Sequence, residues 1–286
     1  MKEKNILGLD LGGTNARAGL VRNQQLGQVS SIKINPKGSV DEVLAQICGL
    51  IDESKPENLD GIGIGVPSVV DIEKGIVYDV QNIPSWQEVP IKSIMQERYS
   101  TPTFVNNDAN CFALGEKYFG KGVGYQSIIG LILGTGFGGG VIVDGKSYAG
   151  VNCGAGEFGM IPYLDSIYEH YCSGQFFTRN FQQTGEEVFQ RAVRDEEKAL
   201  KVWTEYGRHL GNGIKTILHA YDPEIIILGG SVRKALRFFE QSMWESIESF
   251  TYSNSIKRLK IEVSELDHIA ILGAAALYYD AERAKK

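Results

Sequence analysis

One pattern occurs twice in this sequence, and the repetition is the strongest constraint on the fold. Residues 5–21 read NILGLDLGGTNARAGLV, and residues 127–143 read SIIGLILGTGFGGGVIV. Each is an apolar strand-like run, a Gly/Thr turn that begins Leu-Gly, and a second strand-like run. Residues 60–68 and 223–231 make another matched pair, in which an apolar run opens onto a turn of small residues. Matched units in the same order predict a duplicated architecture.

Segments with helical periodicity separate these strands. Apolar residues recur with a period near 3.6 in four segments, 40–53, 108–119, roughly 185–220 and 270–284. Strands that alternate with helices predict an α/β fold with a mainly parallel sheet. Together with the repeat, they predict two lobes with a cleft between them. We expect a small lobe over residues 1–110, a large lobe over 111–272, and a last helix at about 273–286 that returns to the small lobe.

The composition argues against several classes of protein. Of the 286 residues, 43% are hydrophobic and 22% are charged, which is typical of a globular protein. A net charge of −6 argues against a nucleic-acid surface. The sequence has no signal-peptide pattern and no apolar run long enough to span a membrane. The cysteines are far apart and form no Cys-x-x-Cys pair, so we expect buried thiols in a cytoplasmic protein.

The two repeated turns carry the first chemical signal. Gly12, Gly13 and Thr14 can bring backbone N–H groups close to an anion, because glycine has no Cβ in the way. A tight β-hairpin also needs glycine, so this turn alone leaves both interpretations open. Residues 133–140, LGTGFGGG, repeat the chemistry in the second copy. Two such turns predict a site that holds one polyphosphate between them.

Asp10 breaks the symmetry of the repeat, since Ile132 stands at the matching position. An acid beside a phosphate cradle is repulsive unless a cation lies between them. Asp10 therefore predicts a Mg²⁺ ion, held directly or through water. The alternative is that Asp10 caps the turn.

Two further segments contain candidate functional acids. Asn107 and Asp108 follow a strand and precede a helix, and either could cap that helix. They would also suit a hydroxyl substrate, with the amide orienting the hydroxyl group and the carboxylate accepting its proton. Glu157 lies among glycines in NCGAGEFGM, residues 152–160, where few side chains can reach it. It could accept hydroxyl groups of a polyol, or it could be an ordinary turn residue.

Five motifs cover nearly the whole chain in a fixed order. They are Asp-x-Gly-Gly-Thr at 10–14, Asn-Asp-Ala-Asn at 107–110, Gly-Thr-Gly-x-Gly-Gly at 134–139, Gly-x-x-x-Gly-x-Gly-Glu-x-Gly at 150–159 and Ile-Leu-Gly-Gly-Ser at 227–231. In this combination the sequence resembles the ROK family of sugar kinases and sugar-sensing repressors. The resemblance implies the actin-like, hexokinase-type ATPase fold.

The resemblance also implies a role for each motif. Asp108 would be the base toward a sugar hydroxyl group, and Asp10 would face Mg²⁺. Sugar ligands would be Gly65, Asn107, Glu157 and Glu169, with Asn82 as a further candidate. ATP phosphates would bind at Gly12, Gly13, Thr14, Gly134, Thr135 and Gly136. Adenosine would lie against Gly229, Gly230 and Ser231.

The sequence departs from the family pattern at Met160. Similar kinases have a histidine here, which contacts the sugar and binds zinc together with a cysteine-rich loop downstream. Both the histidine and the loop are missing, so no zinc is expected. A replacement site built from Cys153, His170 and Cys172 is not expected either, because no fourth ligand stands out.

The resemblance implies an ATP-dependent kinase that phosphorylates a hexose, with glucose at its 6-hydroxyl group as the first candidate. The alternative is a kinase for an N-acetylated hexosamine or another hexose, since the missing histidine removes a polar contact to the sugar. A non-catalytic sugar sensor is also compatible with the pattern. Repressors of this family add an N-terminal helix-turn-helix, which we do not expect because the first strand begins by residue 5. The family resemblance also suggests a homodimer.

Overall fold

The computed structural model describes residues 4–284. Its strands are β1 (Asn5–Leu11), β2 (Asn15–Arg22), β3 (Gln25–Lys33), β4 (Gly61–Val66), β5 (Val69–Asp71), β6 (Ile76–Tyr78), β7 (Glu88–Val89), β8 (Thr103–Asn107), β9 (Ile128–Leu133), β10 (Phe137–Val143), β11 (Lys146–Ser147), β12 (Pro162–Tyr163), β13 (Ser166–Ile167), β14 (Ile225–Gly229) and β15 (Lys260–Val263). Its α-helices are α1 (Val40–Ser54), α2 (Ile91–Tyr99), α3 (Asp108–Phe119), α4 (Tyr168–Cys172), α5 (Gln175–Phe181), α6 (Gly185–Val193), α7 (Glu197–Tyr221), α8 (Leu236–Ile247), α9 (Ser253–Arg258) and α10 (Ile269–Ala284).

The chain forms two compact units, and the predicted α/β class is confirmed. The first unit contains the chain up to residue 124, residues 140–155 and the chain from residue 265 onward. The second unit contains residues 125–139 and 156–264. The predicted lobe limits remain a prediction, and these compact units differ from them at residues 111–124, 140–155 and 265–272.

The two largest sheets repeat one strand order, β3-β2-β1-β4-β8 and β11-β10-β9-β14-β15. In the first unit, β1 pairs antiparallel with β2 and parallel with β4, and β4 pairs parallel with β8. In the second unit, β14 pairs parallel with both β9 and β15. Strand β10 follows β9 after a short turn, as β2 follows β1. The predicted internal duplication is therefore visible strand by strand.

Glycines on the central strands of the first unit let helix α10 pack directly against the sheet. A Cβ at Gly8 would lie 2.1 Å from the carbonyl oxygen of Ile271, and one at Gly63 would lie 1.8 Å from that of Ala274. Strand β4 is buried along its whole length. Burying each large apolar side chain in such a core contributes about 1.5–3 kcal/mol. Helix α10 thus completes the core of the first unit.

The helices follow the predicted periodicity with one difference. Helices α1, α3 and α10 match the predicted segments closely, and Ser39 caps α1 by accepting a hydrogen bond from the backbone N–H of Glu42. The stretch predicted over roughly 185–220 is two helices, α6 and α7. Asp195, between them, has a φ of 56°, a left-handed conformation that an α-helix cannot continue through.

Aromatic packing dominates the core of the second unit. Trp203 and Tyr206 on α7 pack against Phe176, Phe177 and Phe239, all of them fully buried. The hydroxyl group of Tyr206 donates to the backbone carbonyl of Cys172 at 2.7 Å, which satisfies a polar group inside this cluster. The four cysteines are buried free thiols, as predicted. Over residues 4–284, no helix combines the length and apolarity that crossing a membrane requires.

Candidate active site

Three parallel strands of the first unit bring predicted site residues to one level of the sheet. Asp10 on β1 lies opposite Gly65 on β4, and Gly65 lies opposite Asn106 on β8. All three positions are at or next to the carboxyl ends of their strands, where open α/β sheets bind ligands. Gly65 is also tightly packed, since a Cβ there would lie 3.3 Å from the Sγ of Cys111. The structure thus brings Asp10, Gly65 and the Asn107–Asp108 segment to one edge.

Asp10 is paired with a cation that was not predicted. Arg17 lies directly opposite it on β2 and donates to its Oδ2 from Nη2 at 2.6 Å and from Nε at 3.2 Å. The side chain of Asp10 is 13% exposed and that of Arg17 is 45% exposed. The guanidinium therefore offsets the charge of Asp10 at the start of the glycine turn.

The turn at Gly12–Thr14 lies against Asn82. A Cβ at Gly13 would be 2.5 Å from the Cβ of Asn82, so glycine is required for this approach. The backbone N–H of Gly12 donates to the carbonyl of Asn15 at 2.9 Å, which closes the turn. Asn82 was expected among the sugar ligands, and the structure shows it beside this turn.

Asn107, not Asp108, occupies the cap position of helix α3. Its Oδ1 accepts a hydrogen bond from the backbone N–H of Ala109 at 2.8 Å, and its Nδ2 donates to the carbonyl of Ser68 at 3.3 Å. Asp108 is the first helical residue, and its half-buried carboxylate also accepts from the N–H of Ala109, at 2.8 Å. Both side chains therefore accept from one N–H at the start of α3, and the half-buried carboxylate of Asp108 is the candidate for chemistry.

In the second unit, two glycine turns meet at the ends of β9 and β14. Gly229 lies opposite Ile132, and Gly230 has a φ of 78°, which strongly favours glycine. A Cβ at Gly230 would also lie 2.2 Å from the carbonyl oxygen of Leu133. The turn at 134–136 and the turn at 229–231, both predicted to bind ATP, thus lie side by side.

A cavity of about 350 Å³ opens beside these turns. Its walls include Gly134, Thr135, Gln175, Phe189, Trp203, Ser231 and Lys234. Within the described part of the chain, the buried indole N–H of Trp203 has no hydrogen-bond acceptor. Buried donors are normally paired. A concave site with mostly apolar walls and a few polar groups is the usual form of a small-molecule site.

Glu169 is already hydrogen-bonded on both carboxylate oxygens. Oε2 accepts from the backbone N–H of Phe137 at 3.1 Å, and Oε1 accepts from Nε2 of Gln175 at 2.9 Å. A Cβ at Gly136 would lie 2.8 Å from the same Oε2. The predicted sugar ligand therefore touches the second glycine turn directly.

Glu157 precedes a single turn of 3₁₀-helix, Phe158–Met160, and its carboxylate is exposed at the surface of this unit. Partial burial raises the pKa of Glu157, and the neighbouring charge of Glu169 raises it further. The two acids are therefore close enough to repel each other. Met160, where similar kinases have a histidine, is 57% exposed.

The acid at position 10 fits a magnesium–nucleotide complex rather than a protein-built metal cage. Over residues 4–284, no group of three or more His, Cys, Asp or Glu side chains could hold a metal ion. Mg²⁺ is commonly bound by one or two carboxylates together with substrate phosphates and water. Asp10, beside a glycine turn, is compatible with that arrangement.

The structure adds residues that the sequence reasoning missed. Arg17 could have been found from the hairpin register, since it pairs with Asp10 across a short turn. Gln175 and Trp203 carried no local signal, because only the tertiary packing brings them beside the turn at 134–136. The predicted residues fall into one group in each unit.

Comparison with known proteins gives one consistent result. The pattern of the ROK family matches residues 6–281. A glucokinase of Thermotoga maritima is 28% identical over 97% of this chain and 98% of its own length. An N-acetyl-D-glucosamine kinase of Pectobacterium atrosepticum is 30% identical over 79% of this chain and 83% of its own. A xylose repressor of Caldicellulosiruptor bescii is 27% identical over 96% of this chain and 77% of its own.

A solved structure agrees with this result. The ROK glucokinase of Streptomyces griseus, crystallised with glucose and AMPPNP, superposes with a TM-score of 0.79. It is 25% identical, and the match covers 96% of this chain and 98% of that one.

Proposed function

Because the chain belongs to the ROK family, we propose that it is an ATP-dependent sugar kinase that phosphorylates a hexose. Glucose, at its 6-hydroxyl group, is the first candidate substrate, in line with the glucokinase of Thermotoga maritima. On the family resemblance we also propose a cytoplasmic homodimer. The family includes repressors as well as kinases, so the catalytic assignment needs a separate argument.

The cavity beside the turn at 134–136 supports a kinase best. It has a volume of about 350 Å³ and is lined by residues of both glycine turns, Gly134, Thr135 and Ser231. A cavity beside two glycine turns suits a nucleotide, which a kinase requires. We assign it to the adenosine of ATP, with the phosphates on the glycine turns.

Asp108 is the proposed base. A carboxylate is far too weak a base to remove the proton of an alcohol in advance, so Asp108 orients the hydroxyl group and accepts its proton late, as the new P–O bond forms. Glu157, Glu169 and Asn107 would fix the sugar ring by accepting and donating hydrogen bonds. The N–H groups of Gly12 and Gly134 already donate within their own turns, so the other backbone N–H groups at 12–14 and 134–136 would offset charge on the transferring phosphoryl group.

The first glycine turn has its own charge balance. Asp10 would hold Mg²⁺, directly or through water, and the bound ion would neutralise charge on the ATP phosphates. Arg17 keeps the carboxylate of Asp10 in place through two hydrogen bonds to Oδ2. The same guanidinium adds positive charge beside the phosphates.

Replacing Asp108 with asparagine tests the assignment. Asp108→Asn keeps the shape of the side chain, so sugar and ATP should still bind while kcat falls by about 10²–10⁴-fold. The matched control is Asp41→Asn, which neutralises an acid in the first turn of another helix, α1. Near-normal turnover of Asp108→Asn in a coupled ADP-release assay would remove Asp108 from the mechanism.

An N-acetylated hexosamine is the second candidate substrate. Met160 is 57% exposed and presents an apolar thioether where similar kinases have a histidine. A methyl group of an acetamido substituent could pack on it, and the relative from Pectobacterium atrosepticum is an N-acetyl-D-glucosamine kinase. Incubation with ATP and glucose, mannose, fructose, N-acetylglucosamine or N-acetylmannosamine would rank the substrates. Sugar binding without any turnover would instead favour a non-catalytic sensor, as the similarity to a xylose repressor allows.

A further inference from the structure

Gln175 connects two parts of the second unit that the proposed function assigns to different substrates. It is the first residue of helix α5 and one of the residues that line the proposed adenosine cavity. From there its Nε2 donates to Oε1 of Glu169, the proposed sugar ligand, at 2.9 Å. One amide thus joins the wall of the nucleotide cavity to the sugar-binding carboxylate.

The chain between these two residues is fixed to the second glycine turn at both ends. At one end, Glu169 accepts from the N–H of Phe137 at 3.1 Å. At the other end, the N–H of Gly174 donates to the carbonyl of Gly134 at 2.7 Å. The fully buried Ser173 braces the segment between them, since its hydroxyl group donates to the carbonyl of Glu169 at 2.6 Å. A displacement of Glu169 therefore reaches the turn directly.

The contact between the carboxylate and the turn leaves no spare room. A Cβ at Gly136 would lie 2.8 Å from Oε2 of Glu169, closer than ordinary van der Waals contact allows. The position of the carboxylate therefore depends on the conformation of the turn. A Cβ at residue 136 would displace the flexible end of Glu169 from the turn.

A bound sugar would favour one position of Glu169. The carboxylate has further lone pairs for hydroxyl donors beyond its two present hydrogen bonds. Hydroxyl groups shared with Glu157 would offset the repulsion between the two acids. Fixing Glu169 in this way would order the turn at 134–137 and lower the cost of ordering it around a nucleotide.

We infer that Gln175 is a positioning residue that couples sugar binding to nucleotide binding, with Glu169 as its partner. This inference rests on the proposed kinase function and goes beyond it, because a kinase can also bind its two substrates independently. The coupling is positive, so each ligand raises the affinity for the other by the same factor.

Titration calorimetry with AMPPNP and Mg²⁺ tests the inference, in the absence and presence of the sugar that the panel shows to be phosphorylated fastest. In the unaltered protein, saturating sugar should tighten AMPPNP binding about 5-fold or more. Gln175→Met keeps the length of the side chain and removes the amide, and should bring this ratio to near one. The matched control is Gln241→Met, since Gln241 donates to Glu245 at the same 2.9 Å on an exposed helix face.

Gly136→Ala is a second, independent variant, because its Cβ would push Glu169 away from the turn. It should also reduce the ratio, whatever it does to the affinity for AMPPNP itself, and thermal unfolding would confirm that each variant folds. If both ligands bind the unaltered protein independently, or if Gln175→Met and Gly136→Ala keep the full ratio, the coupling is refuted and the kinase assignment stands. If neither ligand binds and no sugar is phosphorylated, the proposed function and this inference both fail.

Discussion

In the first copy of the repeat the strand before the glycine turn carries Asp10 next to its last residue, and in the second copy it carries Ile132. The strand orders around the two turns are the same. The charged side chains beside the two turns differ. In the first copy Asp10 forms an ion pair with Arg17 on the adjacent strand. In the second copy the carboxylate comes from outside the hairpin, as Glu169 on α4, and is held by a backbone N–H and an amide.

The two copies share their strands and turns and differ in the side chains around each turn. The apolar strands and small-residue turns define the sheet edge in both copies, so the backbone N–H groups available to an anion are similar. The side chains around each edge then diverged. We propose that both turns bind phosphate and that the first turn also handles the cation, through Asp10.

Of the predicted effects, the largest is the loss of activity when Asp10 is neutralised. Asp10→Asn should lower kcat/KM about 100-fold or more if Asp10 holds Mg²⁺ as proposed, because a bound metal ion contributes several kcal/mol to stabilising the transition state. Ile132→Val, the change at the matching position, should have little effect on the chemistry. Activity measured across a Mg²⁺ titration would check this. Equal losses in the two variants would contradict the division of roles between the turns.

The turns that end the matched segments 60–68 and 223–231 should differ in how strongly a substitution lowers the free energy of unfolding. Residue 230 aligns with Pro67 in the first copy, yet Gly230 has a φ of 78° and a Cβ there would clash with the carbonyl of Leu133. Gly230→Ala should therefore lower the free energy of unfolding by about 1–3 kcal/mol. Pro67→Ala should cost less, and urea unfolding would measure both. A Gly230→Ala protein as stable as Pro67→Ala would show that the turn relaxes.

The smallest effect concerns the charge of Glu157. Partial burial and the charge of Glu169 raise the pKa of Glu157 above its ordinary value of 4.5. The protonated carboxyl group therefore stabilises the folded state, and this stabilisation is complete below about pH 4.5. It is lost as the pH rises through the raised pKa of the folded state. At neutral pH, Glu157→Gln should be more stable than the unaltered protein by less than about 1 kcal/mol, because the group is largely exposed. Unfolding temperatures at pH 7 and pH 4 should show the difference shrinking in acid.

Glu187 provides a control, because its pKa is shifted in the opposite direction to that of Glu157. The backbone N–H and the side chain of Thr184 hydrogen-bond its carboxylate, and these bonds lower the pKa of Glu187. Glu187→Gln should therefore be less stable than the unaltered protein at neutral pH. If both substitutions change the stability in the same direction, the overall charge of the protein, and not the local contacts, controls the stability change.

The sequence predicted most of the fold, because the signals for strands, turns and amphipathic helices are local. It did not separate α6 from α7, since the left-handed conformation of Asp195 follows from how the two helices pack. It also left the cap of α3 open between Asn107 and Asp108, which the extended backbone of Asn107 decides, with φ −62° and ψ 149°. Gln175 could not be predicted at all, because its role depends on a contact with Glu169 across a helix junction.

Helix α10 has a consequence for the order in which the protein can fold during synthesis. The carbonyl groups of Ile271 and Ala274 lie directly against Gly8 and Gly63, so β1 and β4 are synthesised well before the helix that covers them. The second unit ends at residue 264, before α10 begins. On the ribosome, β1 and β4 therefore emerge well before the helix that completes their core.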